Sequence, residues 1–346
     1  MEKLNTILQK YVAKGDDTNN KLLGASFIAV QNGLITLDDD VRELVPDINK
    51  IQLLRGFTED EKPILEETNT PITLRMLLTN TVGLPYDTND TDILRWSQSI
   101  GRREIHLNWT LSAITTAFIF PPGEGWVYGI ANDWAALVLE RATEKSLGTY
   151  MQEHIFDPLG MHDTGFWPER LPRTQDRTVQ SSFRKGASLT PFNIPLPKEH
   201  ELESGGAGLF TTAHDYALFL KAFLGGMLLN EDTMDGMFKD KLDVVQRKML
   251  QETVYKPDIQ PAFAPEFPTG FPISSGIGGL INLEDIPGKR RAWSMEWTGA
   301  LNSRWWVDRE SGIAAVMVVN LMPHGDSVPG ALYDELERAV YGELLS

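Results

Sequence analysis

The stretch 121–133, PPGEGWVYGIAND, holds a turn, a loop and the start of a helix in one run. Pro121-Pro122-Gly123 makes the chain turn, because proline fixes φ and glycine accepts conformations that other residues avoid. On the far side Trp134, Ala135, Leu137 and Val138 open an apolar helical pattern, expected over about 132–145. Tyr128 lies between the two, one residue before Gly129. A tyrosine on such a loop can present its hydroxyl to a cleft. It can equally be a half-buried aromatic, and the stretch alone leaves both readings open.

Outward from this loop the chain reads as a helical region. PITLRMLLTNTVGL at 71–84 is a short helix capped by Thr73 and ended by Gly83. Residues 51–70 are polar and irregular, and 92–118 carry two helical patterns. Another helix is expected at 148–160, closed by Pro158-Leu159-Gly160. The run 168–203 is rich in proline and polar residues and reads as a surface excursion. Ser204-Gly205-Gly206-Ala207-Gly208 then leads into a helix over 211–224, and 225–272 reads as helix followed by a proline-rich loop.

The two ends differ from this middle. Residues 277–283, 291–297, 303–308 and 312–321 read as consecutive antiparallel strands, and 329–344 as a closing helix on Leu332, Leu336, Val340 and Leu344. At the start, 2–14 reads as an amphipathic helix and LLGASFIAV at 22–30 as a buried strand. Asn32-Gly33 follows, a strong hairpin signal. The expected fold is therefore α/β of the α+β kind: a mixed, mostly antiparallel sheet covered by terminal helices, with an inserted helical lobe. The sheet lobe should take about 1–50 and 270–346, and the helical lobe about 51–269.

Composition narrows the function. A net charge of −16 repels phosphate backbones and anionic lipid, so nucleic acid and membrane surfaces are unfavourable partners. With no cysteine there is no disulfide, thiolate metal site or cysteine nucleophile. His106, His154, His162, His200, His214 and His324 show no zinc-ligand spacing, and neither metal nor cofactor is expected. The start of the chain lacks an apolar signal core and no run of apolar residues is long enough to span a bilayer, so a cytoplasmic location is expected.

Several stretches together resemble one family. ITLRMLLTNTVGL at 72–84, PPGEGWVYGI at 121–130, PLGMHDTGF at 158–166, ESGGAGLFTTAHD at 203–215 and Trp297-Thr298-Gly299 occur in its order. The chain resembles the serine β-lactamase-like superfamily with its β-lactamase/transpeptidase-like fold. The branch is that of class C β-lactamases, family VIII carboxylesterases and fungal lovastatin-type transesterases, and the resemblance to the fungal transesterases is the strongest. It implies acyl transfer or ester hydrolysis through an acyl-enzyme, with a small-molecule acyl donor and acceptor, a polyketide-derived thioester and an acyl carrier protein as partner. It also implies that Tyr128 is the general base and that Trp297, Thr298 and Gly299 line the substrate site, with Trp126 adding aromatic surface. A lone tyrosine, with a pKa near ~10, needs a neighbouring ammonium to serve as a base at neutral pH. The chain departs from the family in Tyr128-Gly129-Ile130, where many relatives have Tyr-x-Asn, and in Asn80 and Val82.

The nucleophile is the difficulty. The family places a Ser-x-x-Lys helix before a Gly-Leu-x-x-Leu-Asp-Asp segment, and here the expected first strand runs straight into Gly33-Leu34-Ile35-Thr36-Leu37-Asp38-Asp39-Asp40. That predicts a deletion at 32–34 of roughly 30–50 residues, judged from ordinary element lengths. Two pairs are considered as replacements at the right spacing. Thr18 with Lys21 precedes a strand pattern, and Ser182 with Lys185 lies in the polar excursion. Ser26 sits in a strand pattern and Ser204 in a turn. A chain that lacks the segment should be impaired as an enzyme, and the alternative is a catalytically dead relative that binds a ligand.

Overall fold

A computed structural model describes residues 18–19 and 28–344 of this chain. The expected helix at 2–14, residues 22–27 of the expected first strand, Lys21 and Ser26 lie outside the described residues, as does the side chain of Thr18.

The C-terminal strands form a five-stranded antiparallel sheet in the order Ile313–Met317, Arg304–Asp308, Met295–Thr298, Leu280–Asn282, Ile273–Ser275. Trp297 pairs with Trp305 and Glu296 with Trp306. Successive side chains of a strand point to opposite faces. Met295, Trp297, Trp305 and Val307 accordingly join the main core, whereas Trp306 packs with Tyr333 and Tyr341 of the closing helix Ser327–Leu344. Both faces are covered, which is why MEWT and RWWVD are buried at every position.

On the Glu296 side lies a buried ion cluster. Arg290 Nε donates to Glu337 at 2.8 Å, Arg304 Nη1 faces Glu266 at 3.4 Å, and Lys289 Nζ faces Glu337 at 3.4 Å. Burial and the neighbouring Glu266 charge push the Glu296 carboxyl well above the usual range. Burial acts on Glu266 too, but contact with Glu296 and the charges of Arg304 and Arg290 hold it below its ordinary value. Glu296 therefore keeps its proton beside a charged Glu266.

The helical lobe centres on the helix Ala131–Thr143, whose residues from Ala131 to Leu139 are all buried. Trp134 anchors it by donating its indole N–H to the Ile114 carbonyl at 3.0 Å. Thr73 caps the helix Leu74–Leu78 through Met76 N, and Thr212 caps Ala213–Leu224 through Asp215 N. Three expectations fail in this lobe. The 71–84 helix stops at Leu78 rather than at Gly83. The irregular 51–70 stretch contains the hairpin Leu53–Phe57 with Pro63–Glu66. The 168–203 excursion contains another, Ser182–Lys185 with Ser188–Pro191. Leu53 and Leu54 are both buried, whereas Pro63–Glu66 and Ser188–Pro191 are mostly exposed, so neither hairpin shows the apolar alternation that marks a half-buried strand.

The most consequential correction lies at 28–34. Residues 28–31 are helical, not a strand. The amide of Gly33 donates to Val30 O at 3.0 Å and that of Leu34 to Ala29 O at 3.1 Å, while Gly33 takes φ +72°. This is a Schellman cap with glycine at the left-handed position. Asn-Gly supports either a hairpin or a helix end because both need a left-handed residue. The buried Ile28 and Ala29 favour the helix end. The chain then continues through Asp38 and Asp40, which dock on the start of the Leu74–Leu78 helix: Arg75 bonds Asp38 at 2.7 Å, and Asp40 bridges Thr73. Residues 32–34 are a helix terminus and not the expected hairpin turn.

Candidate functional site

The tyrosine loop is held by backbone. Val127 N donates to Asn80 O at 3.0 Å, Ile130 N to Leu84 O at 3.2 Å, and Gly129 bridges Pro85. A Cβ on Gly129 would stand 2.1 Å from the Leu84 carbonyl, so only glycine allows this approach. The ring of Tyr128 then meets Tyr86 at 5.3 Å, Phe263 at 5.3 Å and Trp297 at 5.2 Å between centroids.

Tyr128 lines a cavity of about 400 Å³. Thr298 and Gly299 line it too, at the end of the Met295–Thr298 strand, so the structure brings these three expected residues together. The other walls come from Tyr86, from His106, Leu107 and Trp109, from Phe192 and 194–196, from Gly206-Ala207, and from His324. The proline-rich excursion is thus part of the site wall. No Asp, Glu, Lys, Arg or Ser lines the cavity among the described residues.

Other expected residues fall elsewhere. Trp126 is 2% exposed and belongs to the main core rather than to the cavity wall. Trp297 is buried and meets the site through the Tyr128 ring. Ser182 and Lys185 lie on one strand, where positions three apart face opposite sides, and neither lines the cavity. That corrects their reading as a nucleophile pair, because a Ser-x-x-Lys needs one helix turn to bring the two side chains together. Ser204 donates to Asp133 at 2.6 Å, and Gly206 N donates to the same carboxyl oxygen at 3.1 Å. Burial raises the Asp133 pKa. Asp133 therefore positions the Gly206-Ala207 wall, and Ser204 is a strut. The backbone of Thr18 pairs with Thr211.

Two polar units at the cavity carry no sequence signal of their own. Thr298 Oγ1 and His324 Nε2 are 3.2 Å apart. On the other side Asp87, Arg102 and His106 form a triad. Asp87 takes His106 Nδ1 at 2.7 Å and Arg102 Nη1 at 2.7 Å. Burial raises the Asp87 pKa, but the bonds from His106 and Arg102 outweigh it and hold the carboxyl below its usual range. The only sequence hint was the charged and polar density of YDTND at 86–90, and contacts across fifteen and nineteen residues have no period to betray them.

Among the described residues no group of three or more His, Cys, Asp or Glu could hold a metal, and no helix is long and apolar enough to cross a membrane.

A family model described as Beta-lactamase matches residues 25–339. The chain belongs to the beta-lactamase family. Within it, lovastatin esterase of Penicillium rubens is 33% identical over 306 residues, covering 84% of this chain and 75% of that protein. Monacolin J acid methylbutanoyltransferase of Aspergillus terreus is 32% identical over 324 residues, covering 91% of this chain and 78% of the relative. A solved mutant of simvastatin synthase (LovD) from Aspergillus terreus superposes with a TM-score of 0.85 at 30% identity, over 95% of this chain and 82% of that one. The family's mixed α/β fold is the one described above, and these relatives are acyltransferases and esterases.

Proposed function

We propose that the cavity at Tyr128 is an acyl-transfer and ester-handling site of the transesterase kind, used in secondary metabolism. The supporting observation is that Tyr128 shares its cavity with Thr298 and Gly299. In this reading a hydroxyl oxygen attacks the acyl carbonyl and Tyr128 takes the hydroxyl proton. The proton then passes to the departing alcohol or thiol, and an acyl-enzyme remains. Water or an alcohol reverses the sequence and releases the acid or a new ester. A thioester on a carrier is the donor class that the family resemblance implies.

The attacking hydroxyl is the weak link of this chain as written. In this reading the family's Ser-x-x-Lys segment is deleted, and Thr18 with Lys21 is a pair at the right spacing that could replace it. Turnover should therefore be impaired. A second reading, a ligand-binding relative without acyl chemistry, is favoured by the absence of serine and lysine from the described lining residues. Fluorophosphonate labelling with peptide mapping separates the two. A covalent adduct on Thr18 supports the enzyme, and an unlabelled chain that still binds an apolar ester supports the binder. An adduct mapped to Ser182 would overturn the assignment of chemistry to this cavity.

A further inference from the structure

A second cavity, of about 460 Å³, lies next to the Tyr128 site. The two share Phe192, Ile194, Leu196 and Leu301, so the run 192–196 borders both. The Tyr128 chemistry makes no use of it. Its remaining walls come from residues between 171 and 181, from Phe210-Thr211 and from Asn320. Backbone bonds fix these walls in place. Phe192 N donates to Ser181 O at 2.7 Å, Ser182 N to Asn320 O at 3.0 Å, and Phe210 N to Gly165 O at 2.8 Å. Asn320 Nδ2 donates to Val179 O at 3.0 Å, and Gln180 Nε2 to Phe192 O at 2.9 Å. The excursion is therefore tied across the cavity rather than laid loosely over it.

The chemistry of the wall says what fits. Asp163 is the single ionisable residue among the described lining residues, and its carboxylate faces Arg177 at 2.6 Å and Arg173 at 3.4 Å. A charged ligand would find no free counter-charge there, and burying an unpaired charge is costly. Most of the wall's hydroxyls are already spent. Thr174 donates to Leu171 O, Thr178 to Thr174 O, and Thr211 bonds Thr164. Ser181 is the exception: it is 7% exposed, lines the cavity, and its Oγ has no hydrogen-bond partner among the described residues. Half of each nearby amide is also unspent. Gln180 and Asn320 use their nitrogens and keep an accepting oxygen, whereas Asn193 uses its oxygen and keeps a donating nitrogen. A neutral ligand that serves two acceptors, one donor and a hydroxyl must carry several hydroxyls, because each of these both donates and accepts. Phe192 and Phe210 offer ring surface to its C–H face.

We propose that this second cavity binds a neutral, hydroxyl-rich ring, a hexose or its glycoside, with Ser181 as the buried polar contact. The inference stands apart from the ester chemistry proposed above and does not depend on it.

Titration of the full chain with methyl β-D-glucopyranoside, followed by ligand-observed NMR, tests it. Methyl β-D-glucuronide supplies the same ring with a negative charge, and cyclohexanol a ring with one hydroxyl. The glucoside should bind at least fivefold tighter than either, and Ser181→Ala should weaken it roughly fivefold, the size of one hydrogen bond. Ser181→Phe, which fills the cavity, should abolish binding; if that variant does not fold, Ser181→Ala decides. No binding of the glucoside, equal binding of all three probes, or glucoside binding unchanged in Ser181→Ala each overturns the proposal. None of these outcomes touches the Tyr128 reading, which fluorophosphonate labelling judges separately.

Discussion

Two neighbouring parts of one sheet solve opposite problems. At the Thr298 end of Met295–Thr298 the protein builds a cavity edged by rings, with no formal charge of Asp, Glu, Lys or Arg on its described wall. Around Glu296, two residues earlier on the same strand, it buries Lys289, Arg290, Arg304, Glu266 and Glu337 together. A buried ion that loses its partner is far more costly than a pair replaced by apolar groups. The ion cluster is therefore a commitment of the fold, whereas the cavity can change its lining at small cost to stability. The cavity wall and the ion cluster are thus separated by two residues along one strand.

Breaking the stability side should have the largest effect. Glu337→Ala leaves Arg290 and Lys289 buried without their shared carboxylate and should cost about 3–5 kcal/mol in denaturant unfolding. A cost below about 1 kcal/mol would mean that water enters the cluster and that the contrast is false. On the cavity side Tyr128→Phe, in a preparation with measurable ester turnover, should lower kcat/KM about hundredfold, while the unfolding midpoint hardly moves. Unchanged turnover would remove Tyr128 as the base.

Smaller effects sharpen the picture. Gly33→Ala meets no atom within 4 Å but must hold φ +72°, so it should cost about 1 kcal/mol. No measurable cost would argue against the helix cap at 33. Glu296→Gln should be the mildest, below about 1 kcal/mol at pH 5, because the folded chain already keeps that proton. Its folded pKa is raised, so in the parent chain stability falls as pH climbs above the ordinary carboxyl value, while the unfolded chain alone releases the proton. The glutamine variant lacks that slope and should gain on the parent from pH 5 to pH 8. A widening deficit instead would show that Glu296 is ionised in the fold.

How much of this was legible in the residues depended on whether the cause was local. The caps at Thr73 and Thr212 were readable, because a hydroxyl before an apolar helical pattern satisfies its own first turn. The C-terminal strands and the presentation of Tyr128 beside Thr298 also followed from local pattern and family order. Asn32-Gly33 was misread because the dipeptide specifies a backbone sign and not the element that precedes it. The hairpins within 51–70 and 182–191 were missed because edge strands facing water lose their apolar alternation. The Asp87–Arg102–His106 triad was beyond reach, since it forms only when the turn at 86–89 is folded against the Leu111–Ile114 helix.

The stitching of the tyrosine loop to residues 80–85 runs from amide to carbonyl, at Asn80, Leu84 and Pro85. Side chains at 80, 82 and 130 take no part in those bonds. Such a frame lets the lettering of the loop drift over generations while the phenol oxygen keeps its address, provided that position 129 stays bare.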